Sequence, residues 1–211
     1  MNIFVSNGFY SIDAISSIKE LANNGFQNIE ISSGCVNHNT LDQMKFYIRS
    51  GCKLRLHNYF PNFGDPFVLN LASESAEVRG KSKELILRAL EWSVELQSDY
   101  YAFHSGFRIS PDVEELGGGL VYAKTTEPNI AKDIFVSELS EISERALSLG
   151  VTIAVENNVY DARNYSRYSD DNPFLLKGNI NTEFEFPEKV CILLDAGHLN
   201  VSANVENFNK F

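Results

Sequence analysis

Five residues able to bind a metal ion or move a proton stand at the ends of four strand-like segments. They are His57 in "KLRLHNY", His104 in "YYAFHSG", Glu156 in "TIAVENN", and Asp195 with His198 in "VCILLDAGHLN". Imidazole nitrogens and carboxylate oxygens together suit first-row divalent ions, and the same groups serve in general acid-base chemistry. Singly, each has an ordinary explanation. A histidine at a strand end is most often hydrogen-bonded framework, and an acid there commonly caps the following helix. Asp195 stands where it could cap a helix beginning near Gly197. Co-occurrence is what predicts a shared site, because three of the chain's four histidines fall at such ends. His38, in "VNHNT", reads as surface.

The elements that must position these groups follow from periodicity. "VCILL" is apolar without alternation, which predicts a strand covered on both faces, as in a parallel sheet. Five further segments read as strands: "NIFVSNGF", "NIEISSG", "CKLRLHNYF", "DYYAFHSGF" and "VTIAVENN". Helical spacing fills the gaps: Ile15, Ile18 and Leu21; Leu41, Met44, Tyr47 and Ile48; Leu85, Ala89, Trp92 and Leu96; Phe135, Leu139, Ile142, Ala146 and Leu149. Gly25 reads as a helix stop, and Thr40 with Gln43 has capping-box spacing. Strand and helix in repeated alternation predict a parallel α/β sheet, whose strand ends converge on one mouth. Residues 107–129 and 158–187 are too long for simple turns and are expected to cover that mouth.

Composition narrows the function. With 44% hydrophobic and 22% charged residues, the 211-residue chain can build one core, so residues 1–211 are read as a single domain. A net charge of -10 disfavours nucleic acid and anionic membrane as partners. The odd set Cys35, Cys52 and Cys191 contains no C-x-x-C, which argues against a disulfide framework or a cysteine zinc site. No signal-peptide pattern and no membrane-length apolar run are visible, so a soluble cytoplasmic protein is the expectation.

The motifs "LHNYFP", "FVLNLAS", "FHSGF", "AVENN" and "LLDAGH", in that order, resemble the xylose isomerase-like TIM barrels. That superfamily includes sugar phosphate isomerases and epimerases and AP endonucleases of the endonuclease IV type (family 2). The resemblance implies a (β/α)8 barrel with its site at the C-terminal mouth. It makes Glu156 and Asp195 metal ligands. His57, His104 and His198 become metal ligands in the endonuclease branch and substrate contacts in the isomerases. The family also supplies a His from strand seven and a Glu from strand eight. This chain stops at Phe211, within its sixth βα unit, whereas such a barrel takes about 250 residues. The expectation is therefore a C-terminally incomplete barrel, truncated or completed by another chain, with self-association through unpaired edges and doubtful activity alone.

Three functions are carried forward. The first is a metal-dependent sugar or sugar-phosphate isomerase or epimerase using Mn, Mg, Co or Zn. In it Glu156 moves the proton, Asp195 is mainly a ligand, and His198 orients or polarises the substrate oxygen. His57, Tyr59, Asn70, His104, Arg108 and Asn157 would contact substrate, Arg108 meeting a phosphate or carboxylate. The second is a non-catalytic barrel relic that binds a ligand or partner. The third is a zinc-dependent phosphodiesterase acting at abasic sites in DNA.

Overall fold

The computed structural model describes residues 3–8, 13–116, 118–121, 124–176 and 185–206. Six strands form one sheet in the order β1 to β6, every neighbouring pair parallel: β1 (Val5–Ser6), β2 (Asn28–Ile31), β3 (Lys53–His57), β4 (Tyr100–His104), β5 (Thr152–Glu156) and β6 (Val190–Leu193). Between and after them run α1 (Ala14–Asn23), α2 (Thr40–Arg49), α3 (Ala76–Glu95), α4 (Pro128–Leu149), α5 (Ala162–Tyr168) and α6 (Ala196–Glu206). These are consecutive βα units of a TIM-type barrel, and among the described residues β1 and β6 are the sheet edges. No helix among the described residues is long and apolar enough to cross a membrane.

Alternation along the strands divides structure from chemistry. Leu54, Leu56, Tyr101, Phe103, Ile153 and Val155 are all buried in the main core. They pack there with Leu85, Ile86 and Ala89 of α3 and Phe135, Leu139 and Ile142 of α4. Each large aliphatic or aromatic side chain so buried contributes about 1.5–3 kcal/mol. The intervening positions, Arg55 and His57, Ala102 and His104, Ala154 and Glu156, share the other face. His104 and Glu156 are direct partners in the β4–β5 register, so both side chains emerge together at the mouth.

Two local readings need correction, and one connection gains a helix. β6 is not covered on both faces: Cys191 is exposed, and Ile192 and Leu194 are 40% and 52% exposed. As an edge strand it has only β5 beside it, and an apolar run cannot tell an edge from a centre. The α2 start is capped by chain geometry rather than a capping box, because the Thr40 hydroxyl is turned back to accept from the Asn37 amide at 2.9 Å. The 158–187 connection contains α5, begun by Asp161, whose carboxylate accepts from the Asn164 amide at 2.9 Å.

The two long connections lock together over the mouth. Phe107 bridges Phe174, the Arg108 amide donates to the Pro173 carbonyl at 2.7 Å, and Leu175 returns a bond to Gly106 at 3.2 Å. Beneath them Phe107, Ile109, Leu120, Tyr160, Tyr168 and Phe174 form a second, smaller apolar cluster. The described parts of 107–129 and 158–187 are thus a packed cap, as expected of covers; residues 117, 122, 123 and 177–184 lie outside the description.

Candidate metal centre

Glu156 ends β5 and is 4% exposed, which makes its surroundings decisive for a carboxylate. His57 Nε2 lies 3.3 Å from its Oε2, His104 Nδ1 3.5 Å from the same oxygen, and His198 Nδ1 3.5 Å from Oε1. The His57 and His104 rings meet edge to face at 6.0 Å, and the His104 and His198 rings stack at 5.7 Å. Glu156 Oε2, His104 Nδ1 and His57 Nδ1 are buried without any hydrogen bond. Burial alone would raise the Glu156 carboxyl, but the three imidazoles outweigh it and hold the group below its ordinary range. Burial also pushes the His104 imidazole down to about 4, against the pull of Glu156 and with the help of the other two rings. At neutral pH the centre therefore combines an ionised carboxylate with a His104 that keeps its lone pair.

Orphaned donor atoms of this kind fit a cation. Two ligands each about 2.1 Å from one ion stand roughly 3–3.5 Å apart, the separation found between Glu156 Oε2 and its two imidazoles. Two overlapping sets have ligand atoms close enough to share an ion: His57, His104 and Glu156, and Glu156, Asp195 and His198. Asp195 divides its carboxylate. Oδ1 caps α6 by accepting from the His198 amide at 2.8 Å, so the capping explanation holds, while Oδ2 faces His198 Nε2 at 3.8 Å.

Beside the centre opens a cavity of about 500 Å³, a size usual for small-molecule sites. His104, His198 and Tyr59 line one part of it, and Phe107, Leu116, Leu120 and Phe174 of the cap line another. The Tyr59 hydroxyl accepts from the Leu69 amide at 3.2 Å. Of the residues expected to touch substrate, His57, His104 and Tyr59 stand at the centre or on this cavity.

Asn70, Arg108 and Asn157 do not meet that expectation. Asn70 is 1% exposed and spends its whole amide on backbone: Nδ2 donates to Phe107 and Ile109 carbonyls, and Oδ1 accepts from Ala72 and Phe107 amides. Gly106 lets Asn70 come so close, since a Cβ there would meet its Oδ1 at 2.6 Å. Arg108 is 8% exposed and staples the cap through the Thr126 and Asn172 carbonyls and Asp171 at 2.8–2.9 Å. Asn157 is wholly buried and bonds to Asp195 backbone. His38 is exposed, as expected. Sequence reasoning did not find Leu116, Leu120, Phe174 and Val201 on the cavity wall, because contacts between two loops and a helix leave no periodic signal.

Solved structures share this architecture. A D-psicose 3-epimerase from Clostridium cellulolyticum H10, solved with D-tagatose, superposes with TM-score 0.64 at 16% identity, over 95% of this chain and 65% of that one. At such identity the likeness is one of fold, a TIM-type barrel of parallel βα units. A D-tagatose 3-epimerase-like protein gives 0.65 at 22% identity, over 99% and 73%. An AP endonuclease of family 2 from Brucella melitensis gives 0.60 at 13% identity, over 95% and 71%. The chain spans 65–73% of the length of these three structures. No protein-family model and no curated protein sequence matches it.

Proposed function

We propose that the protein is a metal-dependent isomerase or epimerase of sugars or sugar phosphates. The observation that supports this most is the buried Glu156 oxygen that faces imidazoles without a hydrogen bond beside a ligand-sized cavity. His57, His104 and Glu156, or Glu156, Asp195 and His198, would hold a divalent ion such as Mn, Mg, Co or Zn. When bound, such an ion polarises a sugar carbonyl and stabilises the charge that grows on oxygen as a proton leaves the neighbouring carbon. Glu156, kept ionised, is the group placed to accept a proton. His198 and Tyr59 can orient substrate hydroxyls from the cavity wall, and Phe107 and Phe174 of the cap give it an apolar side. Incubation with divalent ions and a panel of ketoses and ketose phosphates in D2O tests the reading. Deuterium should enter at the carbon next to the carbonyl, and no exchange with any pair of ion and sugar overturns it.

A second reading, a zinc phosphodiesterase acting at abasic sites, is favoured by the two overlapping sets, His57–His104–Glu156 and Glu156–Asp195–His198, which would suit more than one ion. The net charge of -10 weighs against a DNA substrate. Cleavage of an abasic oligonucleotide without sugar turnover would establish it, and inertness in both assays would favour a non-catalytic binder.

A further inference from the structure

Three asparagines stand immediately past odd-numbered strands and clasp backbone at the end of the next strand. Asn7 follows β1: its Oδ1 accepts from the Ser32 and Ser33 amides at 2.8 and 3.2 Å, and its Nδ2 donates to the Ser33 carbonyl at 3.0 Å. Asn58 follows β3 and accepts from the His104 amide at 3.5 Å. Asn157 follows β5: its Oδ1 accepts from the Asp195 amide at 2.7 Å, and its Nδ2 donates to the Asp195 carbonyl at 3.2 Å. Asn7 and Asn157 are both fully buried, so their amides are committed to this work.

The Asn157 clasp differs from the Asn7 clasp in what is attached to it. Its main-chain carbonyl also lies 2.7 Å from His198 Nδ1. A carbonyl can only accept, so Nδ1 carries the hydrogen and Nε2 is the nitrogen left to act as a ligand. Asp195 Oδ1 is taken by the His198 amide, which leaves Oδ2. One residue thus fixes the Asp195 backbone by a two-way bond and selects the working nitrogen of His198.

We propose that Asn157 is a positioning residue that presents Asp195 Oδ2 and His198 Nε2, 3.8 Å apart, to a divalent ion, an inference that rests on the metal-dependent reading of the site. The Asn157 side chain is buried and spends its amide on Asp195 backbone. That side chain holds the Asp195 backbone and the Asn157 main-chain carbonyl holds His198 Nδ1, as partners behind metal ligands do, whose loss typically weakens binding about 10–100-fold. Asn7 provides the control, because its clasp has the same form and carries no metal ligand.

The test is a Co²⁺ titration of the purified chain followed by visible absorption, comparing wild type with Asn157→Leu and Asn7→Leu. Both substitutions remove a buried clasp at similar volume, so both should lower the unfolding midpoint. Only Asn157→Leu should weaken Co²⁺ binding, by about 10–100-fold, and alter the absorption bands that report ligand geometry. Should the leucine variant fail to fold by circular dichroism, Asn157→Ala carries the same expectation. Tight binding by wild type with unchanged affinity and bands in a folded Asn157 variant overturns the positioning role alone. No Co²⁺ binding by wild type overturns the metal reading and this inference with it.

Discussion

Glu156 Oε2 lies 3.5 Å from His104 Nδ1, and both atoms are buried without a hydrogen bond. A folded protein rarely leaves two such atoms facing each other unsatisfied, and a cation between them removes the anomaly. Glu156→Gln keeps the shape and removes the charge. Metal affinity should fall by about 100-fold or more, beyond the loss of a mere supporting partner. Isothermal titration with Mn²⁺ or Zn²⁺ checks this, and unchanged affinity would remove Glu156 from the ligand set.

Burial sets the His104 imidazole at about 4 in the folded chain against an ordinary 6.5. Between those values the unfolded chain takes up a proton that the folded chain refuses. Stability from this group is therefore full above 6.5 and declines as the pH falls toward 4. The metal-free protein followed by NMR should show the His104 ring titrating near 4; a midpoint near 6.5 would mean the ring is far more hydrated than its packing indicates.

Asn70 belongs to the framework. Asn70→Ala leaves backbone groups of Ala72, Phe107 and Ile109 without their partner. About 3 kcal/mol of stability should be lost in denaturant unfolding. Metal affinity should change little, since no atom of Asn70 reaches the centre. Weakened metal binding with unchanged stability would restore the residue to the site.

On the proposed reading, the cavity wall can be changed without touching the candidate ligands. Val201, on α6, lines the cavity and is 38% exposed, so a larger side chain there can be accommodated without entering the core. Val201→Trp should raise KM for the active sugar by about tenfold, the scale of a lost ligand contact of 1.4 kcal/mol, and leave metal stoichiometry unaltered. Unchanged KM would place the substrate elsewhere.

The strands that end in candidate ligands were legible because in each an apolar residue is followed at once by the titratable one: Leu56 before His57, Phe103 before His104, Val155 before Glu156. Parallel order followed from the helices between them, whose apolar periodicity matches the buried faces of α3 and α4. The roles of Asn70, Arg108 and Asn157 were not legible. A polar residue at a strand end looks the same whether it faces a ligand or ties two loops together, and only the bond partners decide. Exposure of Ile192 was hidden for a related reason: edge and centre are properties of neighbours, not of the strand's own residues. The repeated "SN", "HN" and "EN" at Asn7, Asn58 and Asn157 was the one visible trace of the clasps.

The most direct test of the metal-centred site is elemental analysis of the purified chain, wild type beside Glu156→Gln, after dialysis against buffer with and without divalent ions. The account expects at least one bound ion per wild-type chain and none in the variant. A wild-type chain that retains no ion under any of these conditions would contradict it.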